Sequence, residues 1–221
     1  MVMDKIRHIA PKRDVKEKKT LWRASSLGRC INQQLLSAMG FNFPMDAALL
    51  RKLAVRNAAH TEVQQWVVDN FHTTASEVYI VDEDRRCSGH IDNIIVESDM
   101  LYLIEVKTYA YKKIGNDPYW MNQVSFYRDT LLNDKNINKK QLPVKPIVII
   151  SDLNGELMIV EPDVNSQYID VLDQLNMYWD TKLLPEYEKV KDCAKCPIKH
   201  ICNEPYDLET FFYKVKGFFQ G

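Results

Sequence analysis

Glycine is scarce, with seven in 221 residues, and none falls in a G-x4-G-K-[ST] or G-x-G-x2-G pattern, so the sequence offers no glycine-rich cradle for nucleotide phosphates. A nucleoside-triphosphate motor within the chain is therefore not expected. No run of about 18 apolar residues occurs and no apolar segment follows the first residues, so neither a membrane span nor a secretory signal is expected. The expectation is a soluble, cytoplasmic protein. Net charge is also nearly absent, at −1 from 29 Lys and Arg against 30 Asp and Glu. The whole-molecule field would not draw in nucleic acid, and any such binding must use a local stripe. One basic stretch exists, Lys5, Arg7, Lys12, Arg13, Lys16, Lys18, Lys19 and Arg23, and is read as a solvated arm over 1–23. Five cysteines, an odd number without an export signal, do not suit a disulfide framework and are expected as thiols or metal ligands.

What is present is a chain with 46% hydrophobic residues, long enough for one sizeable core. From Ser25 and Ser26 to Gly40 the pattern predicts a first helix carrying Cys30. A second is expected from Asp46 to Asn70, where Leu49, Leu50, Leu53, Val63, Trp66 and Val67 recur with helical spacing. Runs rich in β-branched and aromatic residues at 77–81, 87–96 and 101–108 read as strands. A helix over 117–132 follows, then strands at 146–151 and 157–161 joined by an Asn154-Gly155 turn. A helix over 165–182 and a short amphipathic segment over 207–219 complete the chain. This order implies one α/β domain over 1–221, with a central mixed sheet flanked by helices.

Glu105 and Lys107 lie two apart on a strand and so project from one face, while Val106 points into the opposite, buried face. If the preceding strand pairs with this one as a hairpin, Asp92 lies beside Glu105 and two carboxylates converge on one hard divalent cation. Phosphodiester hydrolysis uses such a cation to polarise a phosphoryl oxygen and acidify the attacking water. Lys107 would orient that water or stabilise developing charge. Each feature alone is most often a solvated charge pair or a turn residue; what favours a site is a hydrophobic strand delivering Glu105 and Lys107 directly after a Gly-x2-Asp strand.

The cysteines fall as Cys30 alone and Cys193, Cys196 and Cys202 in a C-x2-C-x5-C cluster. Four thiolates of this spacing suit a 4Fe-4S cluster. Zinc competes, although Cys30 does not supply the second knuckle common in structural zinc sites; a redox C-x2-C fits less well, since no strand enters a helix there. Cys87 is read as an ordinary strand thiol.

Gly89-x2-Asp92, Glu105-Val106-Lys107 and Gln123-x3-Tyr127 together resemble the successive motifs of RecB-type PD-(D/E)xK nucleases. His60 and the cysteines make the chain similar to the iron–sulfur branch, which includes the CRISPR-associated Cas-four exonucleases and the AddB nuclease domain. The resemblance spans about Ser25 to Cys202. It implies a restriction-endonuclease-like core over 46–184, and an iron–sulfur subdomain over 24–45 and 185–221 in which the cluster joins the N- and C-terminal segments. It further implies that His60, Asp92, Glu105 and the Val106 carbonyl bind Mg²⁺ or Mn²⁺, that Lys107 serves catalysis, that Gln123 and Tyr127 complete the site, and that Cys30, Cys193, Cys196 and Cys202 ligate the 4Fe-4S cluster. Arg56 stands where the family usually has a glycine, and Ile31-Asn32 where proline-arginine often follows the first cysteine.

Between the Glu105 strand and the Gln123 helix, aromatic and basic residues interleave, and Tyr109, Tyr111, Lys112 and Lys113 are candidate DNA contacts. Bases stack on such rings for about 1–3 kcal/mol each while lysines neutralise phosphates. Trp120 is assigned to the core. The expectation is a metal-dependent exonuclease on single-stranded DNA ends, 5′ to 3′ by resemblance, in CRISPR adaptation or in phage or recombination DNA processing with the matching integration or recombination proteins. The rivals are a non-catalytic iron–sulfur module that binds DNA ends and a zinc-stabilised protein of unrelated role.

Overall fold

In a computed structural model, residues 22–109, 118–152, 154–185, 193, 196–202 and 207–220 are described. The basic arm up to residue 21, the candidate DNA contacts Tyr111, Lys112 and Lys113, and the side chain of Tyr109 lie outside them.

Among the described residues six strands build one mixed sheet: β1 (Trp22–Arg23), β2 (Thr73–Asp82), β3 (Cys87–Glu97), β4 (Met100–Tyr109), β5 (Val144–Asp152) and β6 (Leu157–Val160). β2 and β4 pair antiparallel with β3, β5 pairs parallel with β4, and β6 returns antiparallel on β5. The β3–β4 hairpin closes through Ser98, whose φ of 48° supplies the left-handed turn geometry that matches strand twist. A parallel β4–β5 pair needs a crossover. That crossover carries α3 (Pro118–Asn133).

The sheet separates two apolar layers. On one face α3 and α4 (Gln167–Thr181) cover Ile80, Ile91, Ile94, Leu103, Val148 and Ile150. On the other, Val63 and Val67 of α2 (Ala47–Asn70) meet Ile95, Ile104, Val106 and Ile149. The alternation Ile94/Ile95 and Leu103/Ile104 is what lets one strand serve both layers. A third cluster, Leu36, Phe41, Ile198, Phe211 and Val215, joins α1 (Ile31–Ala38) to α5 (Leu208–Gln220), with Cys196 and Cys202 packed against it.

Three expectations shift. The helix predicted from Ser25 splits into a 3-10 turn over Ala24–Ser26 and α1, so Cys30 is the N-cap of α1 rather than a residue within the helix. Gly40 does terminate α1, at φ 89°, with the Phe41 N–H returning to the Leu36 carbonyl at 2.9 Å. β2 begins four residues before the expected Glu77, and the two-residue β1 was not expected at all. Leu49, Leu50 and Trp66 of α2, expected as part of its apolar pattern, are exposed, while Val63 and Val67 alone are buried. Trp120 is buried in the core, as expected. Among the described residues no helix is long and apolar enough to cross a membrane.

Candidate active site

The site begins where two strands part. The β3–β4 ladder runs from Glu97–Met100 to Asn93–Ile104, and the next pair in register would be Asp92 and Glu105. Instead of a strand backbone, the Asp92 side chain accepts the Val106 N–H, at 2.6 Å to Oδ2. The carboxylate thus replaces a ladder hydrogen bond and is fixed by it. Both acids are buried, Asp92 at 7% and Glu105 at 3% exposure.

Glu105, Lys107 and Gln123 close a triangle of hydrogen bonds. Lys107 Nζ donates to Glu105 Oε1 at 2.7 Å and to Gln123 Oε1 at 2.7 Å, and Gln123 Nε2 donates to Glu105 Oε1 at 2.9 Å. Gln123 Nε2 also reaches the Tyr127 hydroxyl at 3.0 Å, as i,i+4 neighbours on α3 can. Glu105 Oε2 is buried with no hydrogen-bond partner, an arrangement that costs free energy unless a further group approaches it. Burial pushes the Glu105 carboxyl up to about 7, against the pull of the Lys107 ammonium.

His60 reaches the same acids from α2, on the opposite layer. Its Nε2 lies 3.3 Å from Asp92 Oδ2, and that hydrogen bond raises the imidazole's pKa above its ordinary value despite partial burial. One turn further on, Gln64 Nε2 donates to Asp92 Oδ1 at 3.1 Å and to Glu77 Oε1 at 2.6 Å. Gln64 and Glu77 were not anticipated. The available signal was Gln64's place four residues after His60, hence on the same helical face. Glu77 holds a left-handed φ of 51°.

Gly89 has a steric role. A Cβ built there would stand 2.5 Å from the Tyr127 hydroxyl oxygen and 2.6 Å from its ring Cε1, so the absent side chain is the space that Tyr127 occupies. The candidate residues His60, Asp92, Glu105, Lys107, Gln123 and Tyr127 therefore meet in one network, with Val106 contributing its N–H.

As they stand these groups bond one another, and among the described residues no set of three or more His, Cys, Asp or Glu side chains is arranged to hold a metal ion. That statement covers the cysteines too. Cys30, Cys193, Cys196 and Cys202 are half-buried free thiols. They are nonetheless electrostatic neighbours: Cys193 and Cys196 both act on Cys30, and all three act on Cys202, whose pKa burial pushes up to about 11. Nitrogen donors lie beside three of them. Gln33 Nε2 lies 3.6 Å from Cys196 Sγ, the Asn32 side chain bonds Cys202, and backbone N–H groups of Asn32 and Gln33 face Cys30. Cys87 is fully buried in β3, where burial pushes its thiol far up.

No protein-family model matches the sequence, and no curated protein matches it. Among solved structures, the crystal structure of SSO0001 is similar to this chain with a TM-score of 0.52 and 18% identity, covering 86% of this chain and 88% of that one. The likeness extends over most of both chains and is one of fold. A second structure, that of the Eubacterium rectale protein named "Putative exonuclease", covers 85% of this chain and 100% of that one, with a TM-score of 0.41 and 10% identity. At that score the similarity carries no argument.

Proposed function

We propose that the chain is a divalent-metal-dependent deoxyribonuclease of the PD-(D/E)xK type, acting as an exonuclease on single-stranded DNA ends. The observation that carries this reading is the network around Glu105: two buried carboxylates and an imidazole from three elements, a lysine on the same strand, and a buried Glu105 Oε2 with no partner.

In chemistry, though not in their present mutual arrangement, the donors suit a divalent cation. His60, Asp92 and Glu105 would hold it with the Val106 carbonyl, and an imidazole among oxygens makes Mn²⁺ acceptable beside Mg²⁺. Such an ion, when bound, polarises the phosphoryl oxygen and acidifies the attacking water. The protein's own part is positioning. The Val106 N–H and the Gln64 amide hold the two oxygens of Asp92, and Gln123 holds the Lys107 ammonium against Glu105. Lys107 then orients the water or stabilises the charge that develops on phosphate. Tyr127, seated over Gly89, keeps Gln123 in place.

The four cysteines supply the four thiolates that a 4Fe-4S cluster takes, and amide groups of Asn32 and Gln33, of the kind that bond cluster sulfurs, lie beside Cys30, Cys196 and Cys202. Its role would be to fasten α1 to the C-terminal segment. The 5′ preference and a setting in CRISPR adaptation or recombination rest on the resemblance of the motifs alone.

The test is digestion of single-stranded DNA labelled at either end, with Mg²⁺, Mn²⁺ or chelator. Nucleotide release with metal, none with chelator, and none from Asp92→Asn or Lys107→Ala variants of unchanged circular dichroism is expected. Full activity in both variants would reject the site, and DNA binding without nucleotide release under any metal would favour a non-catalytic end-binding module.

A further inference from the structure

The stripe of α2 that faces the sheet continues past the sheet's end. Val63 and Val67 pack on β4 and its neighbours, and counting back at helical spacing the same side of the helix carries His60, Arg56, Leu53, Lys52 and Leu49. Thr108 Oγ1 donates to the Arg56 carbonyl at 3.3 Å, and Thr108 is the residue next to Lys107, one short of the end of β4. From Arg56 toward its N-terminus α2 therefore projects beyond the strand. Residues 47–52 are exposed, Leu49 to 44%, and Leu53 is half-buried. The helix is anchored there by its own cap, Asp46 accepting the Leu49 N–H at 2.7 Å.

This overhang lies next to a candidate metal ligand and carries three cations, Arg51, Lys52 and Arg56, of which Lys52 and Arg56 share the stripe of His60. Arg56 sits one turn from His60 and Lys52 one turn further on; among the described residues neither forms an ion pair. The site beside them is acidic, with Asp92, Glu105 and Glu77, and its lysine is engaged by Glu105 and Gln123. A polyanionic strand approaching that site needs positive charge that the site itself does not spare.

We infer that the overhanging half of α2 is the binding track for single-stranded DNA beside the scissile phosphate, with Arg56 and Lys52 on backbone phosphates and Leu49 and Leu53 against the sugars and bases. The inference rests on the nuclease reading and names where its substrate lies. From His60 to Leu49 the track is about 16 Å long at 1.5 Å per residue. Apolar side chains set between cations favour a single strand, whose base faces are open, over a duplex, whose bases are stacked inside. Arg56 supplies a fork of donors that a phosphate can accept in pairs.

The experiment is fluorescence anisotropy of labelled oligothymidylate against the full chain in chelator, over a range of salt, with Arg56→Gln, Lys52→Gln, the double variant and Arg56→Lys. The expected result is weaker binding in each glutamine variant and a salt slope shallower by about 0.7 per cation lost, since that is the counterion release per phosphate contact on a single strand. Arg56→Lys should keep the slope. With metal, Arg56→Gln should raise KM while kcat holds, because the lost contact is made equally in ground and transition states. A double variant with the parent's affinity and slope overturns the inference while leaving the nuclease reading intact. So does duplex binding that matches single-strand binding and responds equally to both substitutions. A parent chain that neither binds nor cleaves DNA would sink the nuclease reading first.

Discussion

Replacing Gly89 with alanine tests how the site is built, without touching any group that carries charge. The added Cβ would lie 2.5 Å from the Tyr127 hydroxyl oxygen, 2.6 Å from Cε1 and 2.9 Å from Cζ, all within contact limits that carbon atoms do not tolerate. Tyr127 is 1% exposed and among the largest fully buried side chains, so moving its ring means repacking the core around it. Overpacking of this kind costs about 1–3 kcal/mol, or about 2–12 °C in Tm for a domain of this size at roughly 2–4 °C per kcal/mol. Removing the hydroxyl alone relieves only the 2.5 Å contact, since Cε1 stays at 2.6 Å. Gly89→Ala/Tyr127→Phe should therefore remain destabilised relative to Tyr127→Phe. Tyr127→Ala vacates the space at a cost of about 3–5 kcal/mol. In that background the alanine at 89 should cost nothing, or stabilise by about 0.4–1 kcal/mol through the unfolded chain. Urea unfolding of the four corners of this cycle measures the coupling. A Gly89→Ala protein as stable as the parent, with no coupling to Tyr127→Ala, would refute the packing argument.

Glu105→Gln should flatten the pH dependence of the metal-free protein. Burial raises the Glu105 pKa from 4.5 to about 7 in the folded state, so the native form keeps a proton that the unfolded chain releases, and stability falls as pH rises through that window. His60, its pKa raised by Asp92, adds a decline in the same direction as pH passes its folded pKa. Urea midpoints at about pH 5 and about pH 8 in chelator should differ less in Glu105→Gln than in the parent; equal differences would mean that Glu105 is not the titrating group. Native thiol labelling should leave Cys87 unmodified, since it is buried with its thiolate strongly disfavoured, and should modify Cys30, Cys193, Cys196 and Cys202 only after iron is removed. Labelling of those four in freshly prepared anaerobic protein, with no iron present, would overturn the cluster. Gln64→Leu removes both Asp92 Oδ1 and Glu77 Oε1 contacts and should weaken Mn²⁺ binding, read by calorimetry, by roughly the 10–100-fold typical of outer-shell partners of ligands.

The parts of the site that follow from strand period and helical spacing were legible in the sequence. Glu105 and Lys107 share a face because they are two apart, and Gln123 and Tyr127 because they are four apart; the extent of α2 followed from the helical recurrence of its apolar residues, although the fold leaves Leu49, Leu50 and Trp66 of that pattern exposed. What escaped depended on tertiary contact. β1 has two residues and exists because the Trp22 N–H finds the Arg86 carbonyl at 2.6 Å. The early part of β2 is polar and contains a register shift at Thr73–Ala75, which hides its alternation. Gln64 and Glu77 are ordinary polar residues until the fold sets both against Asp92. Gly89 was visible as part of a motif, yet the reason for a glycine there is a tyrosine 38 positions later in the chain.

The apolar seam between Leu36 and Phe41 on one side and Ile198, Phe211 and Val215 on the other has a bearing on how this protein would tolerate oxygen. Burying side chains of that size stabilises by about 1.5–3 kcal/mol each, so α1 and α5 are held together by apolar contact as well as by whatever the thiols bind. Were the four thiols to hold the proposed cluster, its loss would leave α1 and α5 still packed on each other, and reconstitution with iron and sulfide should proceed from a folded apoprotein without passing through denaturation.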